Sequence, residues 1–499
     1  MQPLPPELLA IVAEYFTPRN AIQPCCVCRT WNMAFSPVIW RRYTLESHDP
    51  REEINRQALI RNAPHIRHLT FDRLDLLIKF DLSCTQLTHL VFTGRYRSLS
   101  PSDEDQDWRK LARFIEQNPW LGKISISASK YDIPVDFWTA LPLCPSWDIS
   151  SASADPSELF WAACWSVAEL NITNTEVFDT TEFFNDAQGV YTNMKRITLP
   201  NSATASSVAL VLEQCPNLTS FAMDLWDGCS FEVVAATLGG MLEQGRLPHL
   251  DSLGLTSHVQ DDDLASCIQA MSSVLDLDCT STFFGPLAFA ALEPKFATLR
   301  TLQVQKCQCV SGDMIQTILE SCPALEELVS ASIPARLIMD GRPWACLGLK
   351  KLVLDFYLDS GTGLQAQSSA VFGQLGRLTR LKTLMIGDSL SFLHSSFQGL
   401  DFRLQSGLGQ LAGLERLATL DFGQTRQELG VDDVAWMKRH LKELTAVLGT
   451  CNNPVGLYGR VARFWNTVRP RKAMMQRKKI RRRSGQVNAE GVPVGDVAD

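Results

Sequence analysis

Two hydrophobic periods alternate along most of this chain. The first is apolar-x-x-apolar-x-apolar, at Ile66-Leu69-Phe71, Leu87-Leu90-Phe92, Leu121-Ile124-Ile126, Met194-Ile197-Leu199 and Leu218-Phe221-Met223. It returns at Leu250-Leu253-Leu255, Leu299-Leu302-Val304, Leu349-Leu352-Leu354 and Leu381-Leu384-Ile386. The last two apolar positions lie two apart, so both point to one face of a short strand. The second period is i, i+3, i+4, i+7, one stripe of a helix. It occurs as Leu111, Phe114, Ile115, Asn118; as Val208, Val211, Leu212, Cys215; as Leu264, Cys267, Ile268, Met271; and as Ile315, Ile318, Leu319, Cys322. Asn118-Pro119, Cys215-Pro216 and Cys322-Pro323, with a less regular Cys144-Pro145, mark helix stops, because proline cannot continue a helix.

A strand-turn-helix unit cannot bury its own apolar face, so the units are expected to stack, with strands in a parallel sheet on one side and helices on the other. About fourteen units are predicted between Leu59 and Leu448, within a repeat domain over residues 59 to 450. One unit is nearly complete: Leu299, Leu302, Val304, Cys307, Asp313, the helix stripe, then Cys322-Pro323, Leu325 and Leu328. It resembles the cysteine-containing class of leucine-rich repeat, which places a cysteine after the strand and Cys-Pro at the helix end. The resemblance implies an α/β solenoid, a leucine-rich-repeat horseshoe with parallel strands and outer helices. The stretch from Tyr131 to Trp165, with Trp138, Trp147, Trp161 and Trp165, fits worst and reads as one degenerate repeat plus a loop. Met437, His440, Leu441 and Leu444, preceded by Asp432 and Asp433, predict a capping helix at the end.

Where Leu302 and Val304 face the core, Gln303 and Gln305 must face outward. Equivalent outward positions are Ala222 and Asp224, Gly254 and Thr256, Val353 and Asp355, and Met385 and Gly387. This mixed row suits a protein partner better than a nucleic acid, whose phosphates would want Lys and Arg. Gln303, Gln305 and Asp355 are the candidate target-binding residues, and nothing in the sequence names the target.

Residues 1 to 48 do not follow the repeat. Pro5 and Pro6 open a helix whose Leu8, Leu9, Ile11, Val12, Tyr15 and Phe16 cover much of its circumference. Then come Val27-Cys28-Arg29-Thr30-Trp31 and Ser36-Pro37-Val38-Ile39-Trp40. The segment resembles an F-box: Leu4-Pro5-Pro6-Glu7-Leu8-Leu9 stands for Leu-Pro-x-Glu with its apolar pair, followed by Val-Cys-Arg-x-Trp and Pro-x-x-Trp in order. Ser36 departs from the aspartate common before that proline, which weakens a helix cap. The resemblance implies a small all-α module binding the adaptor subunit of a cullin-RING ubiquitin ligase, with the cullin scaffold of an SCF-type complex beyond it. Carried over by position, Leu4, Pro5, Leu8, Leu9, Val27, Trp31, Ile39 and Trp40 are the adaptor-binding candidates, some of which must instead form the module's own core. The chain is then expected to be a substrate receptor. The alternative is a non-catalytic scaffold using the same surfaces without ubiquitin transfer.

Composition narrows this further. With 45% hydrophobic and 20% charged residues and no window near ~20 uninterrupted apolar residues, no membrane span is expected. The start, Met1 to Ala10, has no basic region and is broken by prolines, so export is not expected. Fifteen cysteines then read as thiols in a reducing compartment, cytoplasm or nucleus. Cys25-x-x-Cys28 lacks a second pair or a histidine motif and does not predict a metal site. Arg469 to Arg483 holds nine Lys and Arg and no acid, so against a net charge of −7 the rest of the chain is decidedly acidic. The basic segment reads as a nuclear-import signal or a solvated tail, with nucleic-acid binding a third reading, within a region (469 to 499) whose composition reads as disordered. Phosphate-cradling, dinucleotide, metalloprotease and nucleophile-elbow motifs are all missing, so neither catalytic residues nor cofactors are expected.

Overall fold

A computed structural model describes residues 4–18, 20–45, 52–80, 82–94, 101–127, 133–141, 144–150, 158–173, 190–224, 231–359, 363–386, 398–422 and 427–448. The basic segment after Arg469, and Gly387 of the outward row, lie outside them. The chain divides into two compact units, Met1–Val310 and Ser311–Asp499.

The first unit opens with three helices, α1 (Pro6–Glu14), α2 (Ile22–Cys25) and α3 (Arg29–Trp40). A parallel sheet follows: β1 (Arg42–Leu45), β2 (His68–Phe71), β3 (His89–Phe92), β4 (Lys123–Ser127), β5 (Ser146–Ser150) and β6 (Glu169–Thr173). It continues through β7 (Arg196–Leu199), β8 (Ser220–Asp224), β9 (Ser252–Thr256), β10 (Asp276–Asp278) and β11 (Thr301–Gln303). Each strand pairs in parallel with the next in sequence. Because the register never slips, Leu69, Leu90, Ile124, Trp147, Leu170, Ile197, Phe221, Leu253, Leu277 and Leu302 form one continuous buried column. A one-residue slip would turn that column to solvent, which fixes the register. Helices such as Pro101–Glu116, Ala205–Glu213 and Asp261–Ala270 lie between the strands in sequence and carry the predicted stripes.

The second unit repeats the scheme. Its strands are β12 (Glu327–Pro334), β13 (Lys351–Leu358), β14 (Thr383–Met385), β15 (Gln398–Gly399), β16 (Thr419–Asp421) and β17 (Ala446–Leu448). Leu328, Leu352, Leu384 and Leu420 are in register and buried, while β15 pairs antiparallel with the end of β13. In-register parallel strands alternating with helices in each unit are the leucine-rich-repeat solenoid fold.

All nine sequence strand motifs fall on strands, and the structure adds to them. Arg42–Leu45 is already in the sheet, ahead of residue 59. The Tyr131 to Trp165 stretch yields the regular strand β5, with Trp138, Trp147 and Trp161 buried and only Trp165 exposed. Large aromatics there replace the missing leucines: Phe92, Trp108, Phe137, Trp138 and Phe160 touch in succession with ring centroids 4.9–5.7 Å apart. The helix predicted as a cap, Val431–His440, is instead followed by β17, so it belongs to a repeat.

Candidate functional site on the N-terminal helices

Two apolar stripes run along α1. Leu9, Ala13 and Phe16 recur at i, i+4, i+7 and turn inward, where they join Ala21, Phe35 and Val38 in a closed core with Trp31 and Ile39 packed against it. Phe16 meets Phe35 edge-on at 5.1 Å, and Trp31 stacks on Phe35 at 5.4 Å. The second stripe, Leu8, Ile11, Val12 and Tyr15, lies roughly a quarter-turn round the helix by the 3.6-residue period, and it is exposed throughout, as is Leu4 just ahead of the helix. Tyr15 retains 86% of its surface, and Val27 and Met33 retain 65% and 70%.

Four large apolar side chains on one helical stripe, with Leu4 just ahead of it, are unusual for a surface with no partner. The module does not need them, since its core closes on the other stripe. Covering each would contribute on the order of 1 kcal/mol, about half the value of complete burial. Such a face can bind another apolar surface. Cys25 beside it has its thiol pushed up by burial, with the Ser36 hydrogen bond opposing, so it is held as a neutral thiol. Among the described residues no group of His, Cys, Asp and Glu is arranged to hold a metal ion, and no helix is long and apolar enough to cross a membrane.

The sequence-derived adaptor candidates separate into three sets. Leu4, Pro5, Leu8 and Val27 are exposed. Leu9, at 1% exposure, is a core residue that holds the exposed stripe in place. Trp31, Ile39 and Trp40 are half-buried, and Trp40 stacks on Tyr43 of β1 at 5.4 Å, fastening the last helix to the first strand. Ser36 and Pro37 lie inside α3, so no helix begins there and the missing aspartate removes no cap. The exposed Ile11, Val12, Tyr15, Ile22 and Met33 were not among the candidates. For Ile11, Val12 and Tyr15, the signal that could have found them is the split of α1 into two stripes a residue apart; Ile22 and Met33 stand on α2 and α3 and carry no such signal.

The target-binding candidates are not one cluster on any single unit. Gln303 stands on β11 and Gln305 just after it, both half-exposed, in the first unit. The Gln305 carbonyl accepts the Ser281 N–H at 2.9 Å, binding that turn to the repeat before it. Asp355 stands on β13, in the second unit, opposite Ser332.

No family model matches this chain, and no curated protein matches it. Among solved structures, the chain is similar to a chain of the Rad7–Elc1 complex from yeast, at 12% identity and TM-score 0.44, covering 72% of this chain and 90% of that one. It is also similar to an internalin (InlF) from Listeria monocytogenes, at 11% identity and TM-score 0.31, covering 89% and 93%. A third similarity is to the TLR13–ssRNA13 complex, at 11% identity and TM-score 0.34, covering 85% and 64%. At these values the likenesses carry nothing about function.

Proposed function

We propose that this chain is a substrate receptor of a cullin-RING ubiquitin ligase of the SCF type, with α1 to α3 seated on the adaptor and the repeats holding a target protein. The observation that carries the reading is the exposed stripe Leu8, Ile11, Val12 and Tyr15, with Leu4 just ahead of it, on a module whose core is complete without it. The three F-box-like motifs, in order, support it from the sequence. In this reading the chain contributes position: it raises the effective concentration of target lysines near the ubiquitin carrier, and other subunits supply acid, base and nucleophile. It would work in the cytoplasm or nucleus, where the ligase and reduced thiols are found.

The test is capture of the adaptor by the purified full-length chain, followed by recovery of the cullin. Parent protein should retain both, and Leu8→Asp with Val12→Asp should retain neither while circular dichroism is unchanged. Adaptor capture without cullin recovery would favour the scaffold reading. No adaptor capture by folded parent protein would refute both.

A further inference from the structure

We propose that the exposed face of β1 to β4 binds an acidic, extended segment of a partner protein. In register across these strands stand Arg42, His68, His89 and Lys123, with Arg41 and Arg67 at the entry to the first two. The backbone locks this row, since both the Arg67 and His68 N–H groups donate to the Arg41 carbonyl, at 3.0 and 2.9 Å. His68 and His89 stack with ring centroids 4.1 Å apart, and His89 Nδ1 lies 2.9 Å from Thr88 Oγ1. Six basic side chains therefore share one rigid patch.

The patch gathers its cations without facing acids. Farther along the strand rows some cations do face a carboxylate on the neighbouring strand: Arg196 meets Glu169 at 3.9 Å, and Lys351 meets Glu327 at 3.4 Å. Among the described residues, Arg41, Arg42, Arg67 and Lys123 have no such carboxylate. The histidines register the resulting field. Desolvation first, then the charges of His89, Arg42, Arg41 and Arg67, hold the His68 imidazole down to about 4, and desolvation, Lys123 and Arg42 lower His89. Every charged group that the described residues set against the pair is basic, so at neutral pH both rings are uncharged and can stack, while among the described residues no carboxylate faces the four fixed cations.

The extent of the patch selects its occupant. Three strand steps span about 14 Å, room for two or three carboxylates at the ~6.6 Å same-face repeat of an extended chain. Cations so spread do not converge on one phosphate as a bidentate fork would. A nucleic acid would continue its charge on to β5 and β6, where Asp148 and Glu169 stand. Asp148 is itself occupied, accepting from Ser125 Oγ at 3.1 Å and Asn171 Nδ2 at 2.9 Å, and so closes the patch. On an otherwise acidic chain, the patch would also orient an acidic partner as it approaches.

This inference rests on the reading that the repeats hold a partner protein, and does not need the adaptor. The test is fluorescence anisotropy of the full-length chain with a fluorescein-labelled peptide of alternating Glu and Ser. Saturable binding should weaken with salt and fall at least about tenfold in Arg42→Glu with Lys123→Glu, both exposed positions, with circular dichroism matching the parent. Histidine ring signals followed by NMR should titrate at higher pH with the peptide bound. Adaptor capture by the same variant, run in parallel, should match the parent, and its loss would count against the adaptor reading alone. Undiminished peptide binding by the variant, no saturable binding by the parent, unmoved histidine titration, or tighter binding of a single-stranded oligonucleotide of equal charge would each overturn the proposal.

Discussion

The carboxylate of Asp261 accepts the backbone N–H of Gly285, which is 24 residues further along the chain, at 2.8 Å. The same carboxylate accepts from Leu287 and Ala288, both at 3.0 Å. The helix Asp261–Ala270 thus caps the next helix, Pro286–Leu292, whose N-cap glycine has no side chain to do so. In the second unit, Asp433 likewise accepts from Gly430 at 2.7 Å within its own helix and from Leu404 at 2.8 Å outside it. Caps of this kind couple neighbouring repeats and not just residues of one helix, which makes a solenoid cooperative.

Replacing Asp261 with Ala should therefore destabilise the first unit by about 1–2 kcal/mol, since three N–H groups lose their acceptor. Asp261→Asn should recover part of that. Gly285→Ala should also be destabilising, because its Cβ would lie 2.8 Å from Asp261 Oδ2 and 3.2 Å from Cys309 Cβ. Urea denaturation followed by tryptophan fluorescence gives the order: parent, Asp261→Asn, Asp261→Ala.

The two stripes of α1 predict opposite phenotypes for adjacent residues. Leu8→Ala should abolish or weaken adaptor capture and shift stability by under about 0.5 kcal/mol, as surface substitutions do. Leu9→Ala should cost about 2–4 kcal/mol by leaving a cavity in the Phe35–Val38 core. Thermal unfolding of the two variants beside adaptor pull-down separates the roles, and equal destabilisation by both would remove the distinction.

Thiol reactivity should divide by burial. Cys26, Cys28 and Cys309 are exposed, whereas burial pushes the Cys215, Cys267, Cys322 and Cys346 thiols up to about 12. Only the thiolate attacks alkylating agents. Iodoacetamide at pH 8 should label the exposed three within minutes and the buried four only after denaturation. Peptide mapping by mass spectrometry reads the result.

The stacked histidines make the first unit sensitive to acid. His68 titrates at about 4 in the folded chain against an ordinary 6.5, so as pH falls through 6.5 the unfolded chain takes up the proton first. Stability from this group is complete above about pH 6.5 and is lost progressively down to about pH 4. His68→Gln should flatten the decline in urea midpoint over that window relative to the parent. Parallel curves would show that the pair does not contribute.

Much of the fold was legible because a repeat writes its constraints many times. Leu302 and Val304 have to share a face two residues apart, and Ile315, Ile318 and Leu319 have to share a helix stripe, whatever the rest of the chain does. β5 was not legible, since Trp147 fills the column by size where leucine fills it elsewhere, with Trp138 stacked on it from the preceding turn, and a substitution of shape for pattern shows only once neighbours are packed. Nor could the sequence say which of the apolar pair Leu8 and Leu9 would be covered. Both satisfy the motif, and only the docking of α3 against one side of α1 assigns Leu9 to the core and leaves Leu8 in solvent. The basic patch has the same origin. Arg42, His68, His89 and Lys123 are separated by 21 to 34 residues and share no motif, yet parallel pairing in register sets them side by side. Local periodicity determines which residues form strands and helices, because it depends on spacing alone; which faces meet, and which charges are left unmatched, depends on distances that exist only after stacking.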